Sequence, residues 1–157
     1  MEEKLYGDSA MEMILSGGIS GAITDPYSQR AQRHARMYYE TIRNAKDDVA
    51  KIAENTGFTV EQILIVKNYL FMDKHQLMDG FRRFDPSFKI AESWRRLAYD
   101  SKNIKPHDKT LLHHELEELG LVLRGVEQEK AHDIVCRHYD YPSESEEFYR
   151  QLRQKGR

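Results

Sequence analysis

Apolar residues return at helical spacing along most of this chain. From Asp25 to about Ala45, the positions Tyr27, Ala31, His34, Tyr38, Ile42 and Ala45 recur every three or four residues, the period of one helical face. Arg30, Arg33, Arg36 and Arg43 fall on other faces. Asp25-Pro26 offers a start: a capping residue, then a proline where a missing N–H costs nothing. Two shorter helices are expected in DDVAKIAENTGFTVEQILIVKNYLF. Gly57 ends the first, and Thr59 with Gln62 has the spacing of a capping box for the second. Asp85-Pro86 repeats the start signal before Phe88, Ile90, Ala91, Trp94, Leu97 and Ala98, which predict a helix to about Tyr99 with Trp94 as a core anchor. The stretch between, DKHQLMDGFRRFDP, reads as a polar loop.

After Pro106 the pattern predicts two more helices joined at Arg124-Gly125, the second from about Glu127 to Tyr139. Asp108 is expected to cap the first. No alternating run exceeds about five residues, so strand signals are scarce. The expected fold is all-α: one compact domain of about five to six helices, including a helix-turn-helix-like hairpin. Residues 1–24, broken by Gly17, Gly18 and Gly21, read as an N-terminal arm, 25–142 as the helical domain, and 143–157 as a tail whose short helix frays into solvent.

The helical hairpin raises a DNA-binding reading, since Ala53, Gly57 and Ile63 have the spacing of a helix-turn-helix. A base-reading helix presents Arg, Lys, Asn or Gln in its first turns. This one presents Thr59, Val60, Glu61, Gln62 and Leu64, and Glu61 repels phosphate. A packed hairpin is the better expectation, and DNA recognition there the poorer one.

Composition narrows the classes further. The 157 residues are 39% hydrophobic and 32% charged, with a net charge of −2, which suits one well-solvated helical domain and gives no global basic excess. A single cysteine, Cys136, excludes an internal disulfide and a Cys-rich zinc module, and its apolar neighbours predict burial. No basic segment followed by an unbroken apolar run opens the chain, and no apolar stretch reaches membrane-spanning length. A cytoplasmic location is the expectation, with delivery to a target cell or packaging with phage left open, and no membrane partner.

The chemistry concentrates in PHDKTLLHHELEELGLVLRGVEQEKAHDIVCRHYDY, which holds five of the seven histidines. On a helical wheel with Leu112 at zero, Leu116 falls at about 40°, Leu119 at about 340° and Val122 at about 280°. Glu115, at about 300°, lies inside this apolar arc; Glu118, at about 240°, marks its edge, and His114, at about 200°, stands just outside. A carboxylate in an apolar arc must be paired, protonated or metal-bound. If the two helices pack antiparallel through Gly125, His132 or His138 faces Glu115.

Three readings of His114, Glu115, Glu118, His132 and Tyr139 stay open. In one they bind a divalent metal such as zinc. His114-Glu115-x-x-Glu118 resembles the zinc helix His-Glu-x-x-His with its second histidine replaced, giving His114, Glu118 and His132 as ligands and Glu115 as general base. In another, His114, Glu115 and His132 move protons without a metal, in an RNase-like cleavage whose anionic substrate is held by arginines such as Arg83 and Arg96. In the third, the groups form a structural pair. His107-Asp108 also invites comparison with the all-α His-Asp phosphohydrolases, but no matching downstream aspartate stands out.

From Asp47 to Tyr141 the chain resembles a recurrent pattern: Phe71, Asp73, His75 and Leu77; Arg83-Phe84 and Pro86; Ala91, Ser93-Trp94 and Arg96-Leu97; Leu111-Leu112, His114-Glu115 and Glu118; Ala131-His132, Tyr139 and Tyr141. It is similar to C-terminal effector or toxin-like domains of phage head-morphogenesis proteins and bacterial polymorphic toxins. The resemblance implies an effector or phage-associated role, with a cognate immunity or phage protein as partner, while RNA is the candidate substrate of the RNase-like reading. Its polar positions add His75, Arg83, Arg96 and Tyr139 as candidate substrate-binding residues. The alternative from another class is a non-enzymatic module that binds protein or DNA through the hairpin.

Overall fold

The computed structural model describes residues 23–156, so the arm expected over 1–24 lies almost wholly outside the described residues. In order, the elements are α1 (Gln29–Asn44), α2 (Asp48–Thr56), α3 (Val60–Lys67), a π-helical turn (Asn68–Met72), β1 (His75–Leu77), β2 (Gly80–Arg82), α4 (Phe88–Tyr99), a 3-10 turn (Ser101–Asn103), α5 (Pro106–Leu123), α6 (Gln128–Val135) and α7 (Tyr141–Lys155). The fold is mostly α, as the periodicity predicts, with seven α-helices among the described residues.

The turn between α2 and α3 forms as its residues dictate. Gly57 takes φ 84°, a left-handed conformation that glycine adopts without strain. The capping box is complete, with Gln62 N donating to Thr59 Oγ1 and Thr59 N to Gln62 Oε1, both at 3.0 Å.

The two Asp-Pro starts are displaced. Ser28 and Ser87 cap α1 and α4, accepting from Ala31 N at 3.1 Å and Ile90 N at 3.3 Å. Asp25 instead accepts from Tyr27 N at 2.9 Å and closes a turn through Pro26, while Arg82 holds the Asp85 carboxylate. Asp108 caps the start of α5 from inside the helix rather than as its N-cap. Pro106 begins α5, Lys105 is its N-cap, and Asp108, one turn in, accepts from Lys105 N at 2.8 Å.

The expected loop before α4 contains a hairpin with His75 opposite Arg82 and Leu77 opposite Gly80. Its two-residue loop is Met78-Asp79, and Gly80, which opens β2, has φ 137°. Arg82 donates to both Asp79 and Asp85 and ties the hairpin to the chain that follows it.

The main core joins α1 to α5 around Trp94, whose indole is fully buried against Phe71 at 5.0 Å between ring centroids. A buried indole N–H needs an acceptor. Trp94 Nε1 donates to Asp48 Oδ2 at 3.0 Å, and Lys67 Nζ neutralises the other oxygen at 2.9 Å. A second cluster gathers Ile23, Ala31, Ala35, Phe88 and Tyr149.

The C-terminal tail does not fray into solvent. Tyr141, Ser145 and Tyr149 recur every four residues on α7 and are buried, with Tyr141 Oη 2.9 Å from Ser93 Oγ. The wheel also needs correction near the end of α5, where Leu119 and Val122 are only half-buried and His114 is fully buried. There α5 packs against α6, so the side carrying His114 is the covered one.

Candidate metal centre

Three lone-pair donors converge where α5 meets α6. His114 and Glu118 lie one turn apart on α5, so their side chains share a face. Gly125, at φ 96°, lets the chain reverse and lay α6 alongside, which brings up His132. His114 Nε2 is 3.1 Å from His132 Nδ1 and 3.2 Å from Glu118 Oε1, and His132 Nδ1 is 3.0 Å from the same oxygen. His114 and Glu118 are buried, while the His132 side chain is 38% exposed and opens the group to solvent.

The surrounding bonds decide which atoms are free to ligate. Tyr139 O can only accept, so His114 Nδ1, 2.8 Å away, carries the hydrogen and Nε2 keeps its lone pair in the neutral ring. Tyr69 Oη donates to Glu118 Oε2 at 2.5 Å, and Gln128 Nε2 approaches it at 3.5 Å, leaving Oε1 for the histidines. With His114 Nδ1 committed, two neutral imidazoles supply at most one hydrogen to the three short edges of the triangle.

Tyr69 reaches Glu118 because α3 runs into the π-helical turn, closed by Asp73 N to Asn68 O at 2.8 Å. The wider turn buries Tyr69, Leu70 and Phe71 together, with Phe71 in the main core and Tyr69 on Glu118.

Burial alone would raise the Glu118 carboxyl. Hydrogen bonding with His114, His132 and Tyr69 outweighs it and holds the group low, at about 2, with His114 donating only when both of its ring nitrogens carry hydrogen. The hydrogen bond to Glu118 raises His132. Burial, reinforced by the Glu118 charge, pushes Glu115 well above the carboxylate range, and its Oε2 has no hydrogen-bond partner among the described residues. Burial therefore favours the protonated form of Glu115 in the apolar arc and works against a role as general base.

Cys136 is half-buried rather than part of the core, with Sγ 3.6 Å from His132 Nε2. Burial and the Asp140 and Asp133 carboxylates raise its thiol. His114, His132 and Cys136 form a group that could hold a metal ion, with donor atoms within 4.8 Å of one another. The triangle that includes Glu118 is tighter.

The remaining candidates lie elsewhere. His75 Nε2 donates to Tyr69 O at 2.7 Å and its ring stacks on Phe84 at 4.3 Å, so it buttresses Tyr69. Arg83 is exposed and donates to Met72 O at 3.2 Å. Arg96 is buried in a two-pronged pair with Asp108, at 2.8 and 2.9 Å, and is closed to any substrate. Tyr139 contributes its carbonyl, while its ring stacks on His113 at 4.9 Å. His138 is exposed. His34 is a buried packing histidine, its Nε2 2.7 Å from Glu92 Oε1. On α3 the outward residues are Val60, Glu61, Gln62, Leu64 and Ile65, while its only cation, Lys67, is buried, a face poorly suited to reading bases.

Sequence reasoning named the three donors but missed Tyr69 and Gln128. Neither carries a local signal, since Tyr69 lies 49 residues from Glu118. No helix among the described residues is long and apolar enough to cross a membrane. Comparison with protein-family models, curated proteins and solved structures returns no match.

Proposed function

We propose that this chain binds one zinc-class divalent ion through His114 Nε2, Glu118 Oε1 and His132 Nδ1, at a site of hydrolytic type. The observation that carries the reading is the size of the donor triangle. A tetrahedral ion with bonds of about 2.0 Å spaces its ligands by about 3.3 Å, and the three edges here are 3.0, 3.1 and 3.2 Å.

The supporting bonds have the form such a site needs. The non-ligating nitrogen of His114 donates to a backbone carbonyl, and the non-ligating oxygen of Glu118 is held by Tyr69. Two histidines and a glutamate leave a fourth position open, as hydrolytic zinc sites do. A zinc ion so held lowers the pKa of a bound water to about 7. Cys136 is the alternative third ligand. It is the poorer one, because His132 offers one nitrogen to an ion and Nδ1 already belongs to the tighter triangle.

The resemblance to phage- and toxin-associated effector domains supplies the proposed setting, with a cognate immunity or phage protein as partner. Elemental analysis of the purified protein tests the centre: about one zinc per chain, lost in His114→Ala, is expected. A metal-free wild type after zinc loading overturns the reading. The effector role predicts that expression slows host growth and that His114→Ala relieves it.

A further inference from the structure

Away from the metal donors, the outer face of α1 carries a charge pattern the rest of the chain does not explain. The helix buries Ala31, His34, Ala35, Tyr38, Tyr39 and Ile42, and turns Gln29, Arg30, Gln32, Arg33 and Arg36 outward. No aspartate or glutamate occurs from Gln29 to Tyr39, and the first carboxylate, Glu40, is already held by Arg43. Arginines near a helix N-terminus oppose the helix dipole, and the chain as a whole is slightly acidic at −2. Arg33 and Arg36 make no hydrogen bond or ion pair among the described residues.

This face borders a cavity of about 450 Å³ between the segment leading into α1 and the start of α4. Gln32 and Arg36, one turn apart, line it together with Tyr27, Phe88, Lys89 and Asp85. The acids nearby are occupied: Asp85 by Arg82, and Glu146 by Lys89 and the Tyr27 hydroxyl. Tyr27 is 62% exposed, and those same bonds hold its ring in place. A fixed, exposed aromatic ring beside cations rising along a helix at about 4.5 Å per three residues is the combination that binds single strands, phosphates on the cations and bases on the ring.

We propose that the α1 face and this cavity bind a single-stranded polynucleotide, with Arg33 and Arg36 on successive phosphates and a base stacked on Tyr27 at the cavity mouth. The surface uses no metal donor, so it stands or falls apart from the centre on α5 and α6. It also differs from a helix-turn-helix reading, because α3 turns Val60, Glu61, Gln62, Leu64 and Ile65 outward and no cation.

The test uses the full chain and fluorescence anisotropy with labelled oligo(U) RNA, oligo(dT) DNA and a duplex of equal length over a range of salt. Binding to one or both single strands, tighter than to the duplex, is expected; their ratio identifies RNA or DNA as the natural strand. The double variant Arg33→Glu/Arg36→Glu should lower the slope of log K against log salt by about 1.4, the loss of two phosphate contacts. Arg33→Lys/Arg36→Lys should restore it, and Tyr27→Ala should weaken binding about tenfold. All these positions are exposed, and unchanged helical circular dichroism and thermal midpoint confirm folding. No single-strand binding by the wild type at low salt, duplex binding of equal strength, or charge-reversed protein that binds as well as wild type overturns the proposal.

Discussion

His114 Nε2 and His132 Nδ1 face each other at 3.1 Å across the α5–α6 contact, with Glu118 Oε1 completing the triangle. Nitrogens this close share a proton or an ion. Because Tyr139 O fixes the hydrogen of His114 on the far side of its ring, Nε2 offers a lone pair to either, and measured metal binding decides between them.

Tyr69→Phe isolates the bond that steers Glu118. It keeps the buried ring and removes the hydroxyl at 2.5 Å from Glu118 Oε2. Zinc affinity, measured by competition with a chelator, should fall about 10–100-fold with the fold intact. Unchanged affinity would take Tyr69 out of the centre.

The identity of the third ligand is readable by cobalt substitution. With His114, Glu118 and His132 as donors, the cobalt protein should show no thiolate-to-metal charge-transfer band, and Cys136→Ser should keep its full metal content. A strong band that disappears in Cys136→Ser would instead assign the ion to His114, His132 and Cys136.

Asp108 and Arg96 form a buried pair that also braces the start of α5. Asp108→Asn leaves the guanidinium without its counter-charge. Urea denaturation should show a loss of about 3–5 kcal/mol. A loss below about 1 kcal/mol would show that water or another acid replaces the carboxylate.

His107 gives the stability a defined acid limb. Burial holds it down at about 4, opposed by the Asp108 charge and helped by Arg96, whose Nη2 donates to its Nε2 at 3.3 Å. The unfolded ring titrates near 6.5. Between pH 6.5 and 4 the unfolded chain therefore takes up a proton that the folded chain refuses, and stability falls as pH falls. Above this window the contribution is complete; below it no further loss comes from this group. The full difference amounts to roughly 3 kcal/mol. Urea midpoints of the wild type and His107→Gln at several pH values should show this slope in the wild type and a shallower one in the variant.

What was legible depended on how far each signal reaches along the chain. Gly57, Thr59 and Gln62 set the α2–α3 turn through bonds within three residues, and all of them formed. The Asp-Pro starts misled because a serine two or three residues on competes for the same role, and Ser28 and Ser87 win it. The hairpin reads as a loop in the sequence because its strands are only three residues each, too short for an alternating pattern. The wheel placed Glu115 and Glu118 on the covered side of α5, but it could not know that α6 would bury His114 as well. Arg96 is polar in a recurrent pattern, which fits a substrate contact and a core ion pair equally. Only the position of Asp108 separates the two.

Trp94 is the chain's sole tryptophan and has no exposed surface. Its emission is consequently a built-in gauge of one region: it senses the packing of Phe71 and Asp48 and is blind to the Phe88–Tyr149 cluster at the other end of α1. A melt followed by tryptophan light and one followed by helical ellipticity thus watch different parts of the molecule. Any gap between their midpoints measures how independently the two clusters come apart.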